Sequence, residues 1–175
     1  MLSTFAAAVL LLAPLASDAL HVEVDRGSEE LVIRFELLEG VPESMISTMS
    51  SGARIEIDYP IRVYARRRMF PDNRFWKGVA RSTVTFDAIT GRYLCQLIVN
   101  GSTTVSREVD SAEVAGQWLA APPAVEVPLP KGRRDAFIRV RVRAVFSSGT
   151  TWLVFPSTDG TDWFEVKLEA PREEG

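Results

Sequence analysis

The sequence predicts a mostly β protein, an antiparallel β-sandwich carrying two short helices, with an open barrel as the alternative arrangement. Three observations predict it. Apolar residues alternate with polar ones through most of the chain past residue 20. Successive alternating runs are joined by short turns and not by crossover helices, which implies antiparallel pairing. The composition is that of an ordinary globular domain, with 175 residues, 46% hydrophobic and 25% charged.

Residues 5–15 form an uncharged apolar run (FAAAVLLLAPL), followed by the small residues Ala16, Ser17 and Ala19. A membrane-spanning helix needs roughly 20 apolar residues, so this run is too short to span and fits the middle of a secretory signal peptide. The expected division is a signal peptide over 1–19 and a single β-rich domain over 20–175, placed in the periplasm or secreted. No stable membrane insertion is expected after removal of the leader.

The elements follow in order. Leu31, Ile33, Phe35 and Leu37 share one parity and Glu30, Arg34 and Glu36 the other, the pattern of a half-buried strand. Pro42, the spaced Met45, Ile46 and Met49, and then Gly52 outline a short helix. From Ala53 to Ala65 every odd position is apolar or aromatic, which predicts one long strand. Pro60 inside it marks an edge or a bulge, because proline cannot donate to a ladder. Residues 79–87 and 92–99 flank a turn ending in Gly91, and Asn100-Gly101 joins the second of these strands to 102–109. Asp110 and Glu113 resemble a capping box opening a helix with Val114/Trp118 and Ala115/Leu119 on its apolar face. A Pro-rich link over 122–130 precedes strands at 137–146, 151–155 and 163–168.

The segments ARIEIDYPIRVYARRR, PDNRFW and VTFDAITGRYLCQLIVNG, followed by an Arg-rich strand before a closing Trp, together resemble an exported bacterial family, domain-of-unknown-function family 4390. The resemblance covers roughly Val22 to Val166. It implies export and a single β-rich domain of unassigned activity, and genes of such a family lie beside those of membrane sensor kinases, which is a hint about partners and no more. It supplies no catalytic residues.

Composition narrows the chemistry. One Cys (Cys95) and one His (His21) leave no cysteine zinc cage and little for His-based catalysis. Twenty Lys and Arg against 23 Asp and Glu give a net charge of -3, which does not argue for a nucleic-acid partner. No nucleophile elbow, Ser-x-x-Lys motif or Gly-rich phosphate loop is present, and no cofactor or metal is expected. Cys95 reads as a small buried hydrophobe.

Two cationic clusters remain as candidates. The first is Arg66, Arg67 and Arg68 with Arg74 and Lys77, interleaved with Phe70, Phe75 and Trp76 and read as a loop from Arg66 to Lys77. Its arginines supply charge-assisted bonds, and Trp76 is the exposed aromatic anchor; the competing reading is a solvated loop. The second is Arg139, Arg141 and Arg143 on one face of one strand. Alternate residues lie ~6.7 Å apart, and unit charges at that distance repel by roughly 0.6 kcal/mol in water. Carboxylates such as Glu165 and Glu169, or Glu23 and Asp25, would neutralise the ladder; unneutralised, it is a surface for an acidic partner.

These features point to an exported, non-enzymatic binding or adaptor module that contacts another cell-envelope protein, the sensor region of a membrane kinase among them. Edge-strand addition at the Pro60 strand is a second mode of contact. The alternative function is a carrier of a small apolar or lipid-like ligand, held in a cavity lined by the odd residues of the long strand. A hydrolase using carboxylates or Ser is a third class, for which the sequence offers no motif.

Overall fold

The computed structural model describes residues 19–66, 72–133, 136–148 and 160–169. Residues 1–18 of the expected leader, Arg67, Arg68, Phe70 and the strand expected at 151–155 lie outside the described residues. Ten strands are described: β1 (Leu20–Arg26), β2 (Glu30–Leu37), β3 (Ile55–Arg66), β4 (Asn73–Asp87), β5 (Arg92–Val99), β6 (Ser102–Val109), β7 (Val125–Pro128), β8 (Phe137–Val142), β9 (Val145–Ser148) and β10 (Phe164–Leu168). Two helices, α1 (Glu43–Ser50) and α2 (Ala112–Ala120), interrupt them.

The strands form two antiparallel sheets, as their alternation requires. The smaller runs β1-β2-β7 and the larger β10-β8-β3-β4-β5-β6, with β9 also paired to β3. The two ends of the larger sheet do not pair with each other, so the arrangement is a sandwich and not a closed barrel. One apolar cluster joins the inner residues of both sheets to α1 and α2. The smaller sheet and the two helices cover the inner face of the larger one.

Strand β3 is central to this packing. Ile55, Ile57, Tyr59, Ile61 and Val63 are all buried, as their parity predicts. Tyr59 stacks on Phe35 of the opposite sheet, with ring centroids 4.4 Å apart. Its hydroxyl donates to the Leu119 carbonyl at 2.7 Å, tying the larger sheet to the end of α2. Burial of the phenol raises its pKa above the usual tyrosine value. Opposite Tyr59 on β4 stands the small residue Ala80.

Pro60 does not mark an edge. Strand β3 is flanked by β4 on one side and by β8 and β9 on the other. The backbone N–H of its partner Val79 donates to the Asn100 side chain at 3.0 Å, and the Val79 carbonyl accepts from the Asn100 N–H at 3.0 Å. Both Val79 groups therefore face β5, and the missing Pro60 N–H faces β8 and β9 instead. There the Arg143 N–H reaches the Pro60 carbonyl at 3.4 Å, and the ladder lapses at Arg143 and Ala144. Strands β8 and β9 keep a common register on β3, so they are the single strand the sequence shows, interrupted opposite the proline.

Three further expectations are corrected. The helix α2 is capped by Ser111, whose hydroxyl accepts from the Val114 N–H at 3.3 Å, and not by Asp110. Its inner face is Ala115, Gly116, Leu119 and Ala120, while Val114 is exposed and Trp118 half-buried. The Pro-rich link contains β7, whose Val125 and Val127 are buried beside β2. The Asn100-Gly101 turn forms as expected, with positive φ at both residues.

Cys95 lies fully buried on the inner face of β5, and burial pushes its thiol pKa up to about 11. The thiol therefore stays neutral in the folded protein while the unfolded chain ionises from about pH 9. Its contribution to stability is full below that pH and is lost as the pH rises to about 11. Urea unfolding followed from pH 8 to 11 should show falling stability, with a shallower fall in Cys95→Ala. At neutral pH, Tyr59→Phe should cost about 1–3 kcal/mol, because the buried Leu119 carbonyl loses its donor.

Candidate cationic and aromatic sheet face

The even residues of β3 point away from the core, and the registers place their neighbours. One row across four strands reads Lys77, Arg62, Arg141, Glu165. The next reads Arg74, Tyr64, Arg139, Lys167. Arg66 follows, opposite Phe137. Like charges set directly across a sheet destabilise it, and the first row sets three cations side by side with one carboxylate at its end.

Charge on this outer face is unevenly balanced. Toward the N-terminal end of β3, Arg81 bonds Asp58 through two nitrogens at 2.6 and 3.0 Å. Glu56 takes Arg54 at 2.6 Å and Arg81 at 3.5 Å. At the other end Asp72 pairs with Arg139, and Glu165 lies 3.7 Å from Arg141 and 3.9 Å from Arg139. Arg62 and Arg143, between these two zones, have no ion pair among the described residues.

What receives them is Trp163. The Arg62, Arg143 and Arg141 guanidiniums lie 4.4, 5.1 and 5.3 Å from the centre of its ring. Arg139 stacks similarly on Tyr64 at 5.0 Å. An aromatic face attracts each cation by about 0.5–1 kcal/mol at exposed sites. Two unit charges ~5 Å apart repel by about 1 kcal/mol in water and about 3 at a protein surface of effective dielectric ~20. Stacking therefore offsets only part of the repulsion among three guanidiniums. The Nε atoms of Arg62, Arg139, Arg141 and Arg143 are also shielded and make no hydrogen bond among the described residues.

Beside this cluster opens a hollow of about 600 Å³, lined in part by Tyr64, Arg66, Phe137, Arg139 and Lys167. Phe137 is 48% exposed at its wall. A second open hollow of about 350 Å³ lies over the smaller sheet, between His21, Glu23, Arg34 and Pro122. Neither is lined by the inward residues of β3, which are packed in the core. Among the described residues no group of three or more His, Cys, Asp or Glu is placed to hold a metal ion.

The structure brings Arg66, Arg74 and Lys77 of the first predicted cluster onto one face with Arg139, Arg141 and Arg143 of the second. Arg66 ends β3, and Arg74 and Lys77 lie on β4, not in a loop. Between them Phe75 is the extra residue of a β-bulge, where the register shifts at Val63 and Tyr64. Trp76 is not an exposed anchor. It pairs with Val63 on the inner side, packs on the core, and lies across Gly78, whose absent Cβ would sit 2.3 Å from the indole. Of the acids expected to neutralise the Arg ladder, Glu165 reaches Arg139 and Arg141 but not Arg143, whereas Asp25 pairs with Arg34 on the smaller sheet.

Trp163 was not among the candidates. Its signal was parity, since it shares a side with Glu165 and Lys167, the residues set opposite Arg141 and Arg139. Comparison with protein-family models, with curated proteins and with solved structures finds no match to this chain.

Glu165→Gln should lower the melting temperature, because it leaves Arg139 and Arg141 with less compensation. The loss should be larger at low salt than at 0.5 M, where screening weakens the repulsion. Calorimetry at the two salt concentrations measures it.

Proposed function

We propose that this chain is an exported, non-enzymatic binding module that docks an acidic protein of the cell envelope on the outer face of its larger sheet. The sensor region of a membrane kinase is one such partner. The observation that carries the reading is the row Lys77, Arg62, Arg141, in which like charges stand side by side on a rigid sheet with little compensation. A fold gains nothing from that arrangement, whereas an acidic surface laid across it would relieve the repulsion and gain steering from the same field. The leader-like segment and the resemblance to an exported family support the envelope as the place. Phe137, exposed beside the cations, supplies an apolar contact of the kind that anchors interfaces.

Decaglutamate serves as a defined acidic probe. Calorimetric titration should show binding that weakens at least tenfold between 50 and 300 mM salt. The double substitution Arg74→Glu with Lys77→Glu should abolish it, while Leu94→Glu, on the outer face of β5 and away from the cluster, should not reduce it beyond twofold. Salt-insensitive binding, or retention in the double variant, would overturn the assignment. In the native envelope, a photo-reactive residue at Phe137 should capture an acidic protein, and the same double substitution should abolish that capture.

A further inference from the structure

We infer that Arg62, Arg141 and Arg143 around Trp163 form a seat for a phosphate monoester, the particular group through which an acidic partner is recognised on this face. The inference rests on the docking reading above and narrows it to one chemistry. Carboxylates along a partner would be met by the whole cationic face, one cation to each. Three guanidiniums within 5.3 Å of one ring centre instead concentrate positive charge around a single indole, which suits a single dianion with several acceptor oxygens.

Two observations make the cluster a site and not merely a crowded surface. Arg62 and Arg143 have no carboxylate partner among the described residues, so their charge is unspent. Backbone bonds to neighbouring strands also hold both residues in the sheet. Arg62 sits in the middle of β3 between β4 and β8, and Arg143 is held by its N–H bond to the Pro60 carbonyl at 3.4 Å. Trp163 lies against all three guanidiniums, and the N–H groups they do not turn to the ring are the ones able to bond oxygen. A phosphate monoester carries nearly two charges at neutral pH and presents three strong acceptor oxygens, one for each guanidinium. Arginine in place of lysine matters here, because only the guanidinium both stacks on an indole and bonds phosphate through two parallel N–H groups.

The test follows the Trp163 indole N–H resonance by NMR, assigned with Trp163→Phe, while inorganic phosphate, phosphoserine and acetate are added at matched ionic strength. Phosphate and phosphoserine should shift the resonance saturably and acetate should not. Arg62→Lys and Arg143→Lys keep the net charge and remove no ion pair, and each should weaken phosphate binding at least tenfold with the melting temperature little changed. Arg143→Lys, which lies outside the row Lys77, Arg62, Arg141, should still bind decaglutamate. Equal effects of phosphate and acetate, or lysine variants that bind phosphate as well as the parent, would overturn the seat while leaving charge-driven docking standing. Loss of decaglutamate binding in the parent would overturn the docking reading itself. Vesicles of phosphatidylcholine with phosphatidic acid identify the source of the monoester. The protein sediments with them if a lipid carries the group, and stays in solution if it is borne by a soluble partner.

Discussion

The two faces of β3 constrain everything else. Because side chains alternate with a period of two, a strand whose odd residues fill the core must send its even residues to the opposite surface. In β3 the odd set includes Ile57, Tyr59, Ile61 and Val63, which pack against the smaller sheet and α2. The even set includes Arg62, Tyr64 and Arg66, which stand at the middle of the cationic face. A one-residue slip would exchange the two sets, burying arginines and exposing the core. Register is therefore strongly specified, and the Tyr59 hydroxyl on the Leu119 carbonyl adds a directional lock at the centre of the strand. The fold and the site are two sides of one strand, which explains why the site is rigid.

The same alternation decides what was legible in the sequence. The long strand, the β2 pattern, α1 and the Asn100-Gly101 hairpin follow from local periodicity and turn chemistry, and they form where those rules place them. The start of β4 was hidden for two physical reasons. Its inward Gly78 gives no hydrophobic signal because the Trp76 indole takes the room a side chain would need, and the bulge at Phe75 breaks the parity of the preceding residues. Strand β7 was hidden by the prolines around it, although Val125 and Val127 alternate between them. The site was half legible. Sequence spacing put Arg139, Arg141 and Arg143 on one side of one strand, but it could not place Arg62 beside them, since that depends on the β3–β8 register.

Charge on the outer face departs from what stability alone would select. Arg81, Asp58, Glu56 and Arg54 form a balanced group at one end, so the sheet is capable of neutral pairing. A few residues along, Lys77, Arg62 and Arg141 abut with Glu165 alone to compensate them. Local conflicts of this kind concentrate at functional positions, where stability is traded for a prepared field. Trp163 lowers the cost by offering its ring to three cations, but it does not remove their charge.

Pro60 connects these features. Its missing donor leaves the Arg143 carbonyl without a ladder bond to β3, while the N–H and carbonyl of the next residue, Ala144, point to the other side, toward the chain entering β10. Gly160 bridges to Val145, and the Thr161 N–H donates to the Ala144 carbonyl at 2.9 Å. The Thr161 hydroxyl in turn accepts from the Ala144 N–H at 2.9 Å. A Cβ at Gly160 would lie 2.5 Å from the Ala144 oxygen, so only glycine permits the approach. Two residues after Thr161 stands Trp163, delivered against Arg62, Arg141 and Arg143 by those bonds. A proline that reads in the sequence as a weakness in a strand thus sits where the backbone groups beside it receive the segment carrying the indole. The placement of the indole against the cationic cluster follows from the same alternation of backbone groups that sets the side chains.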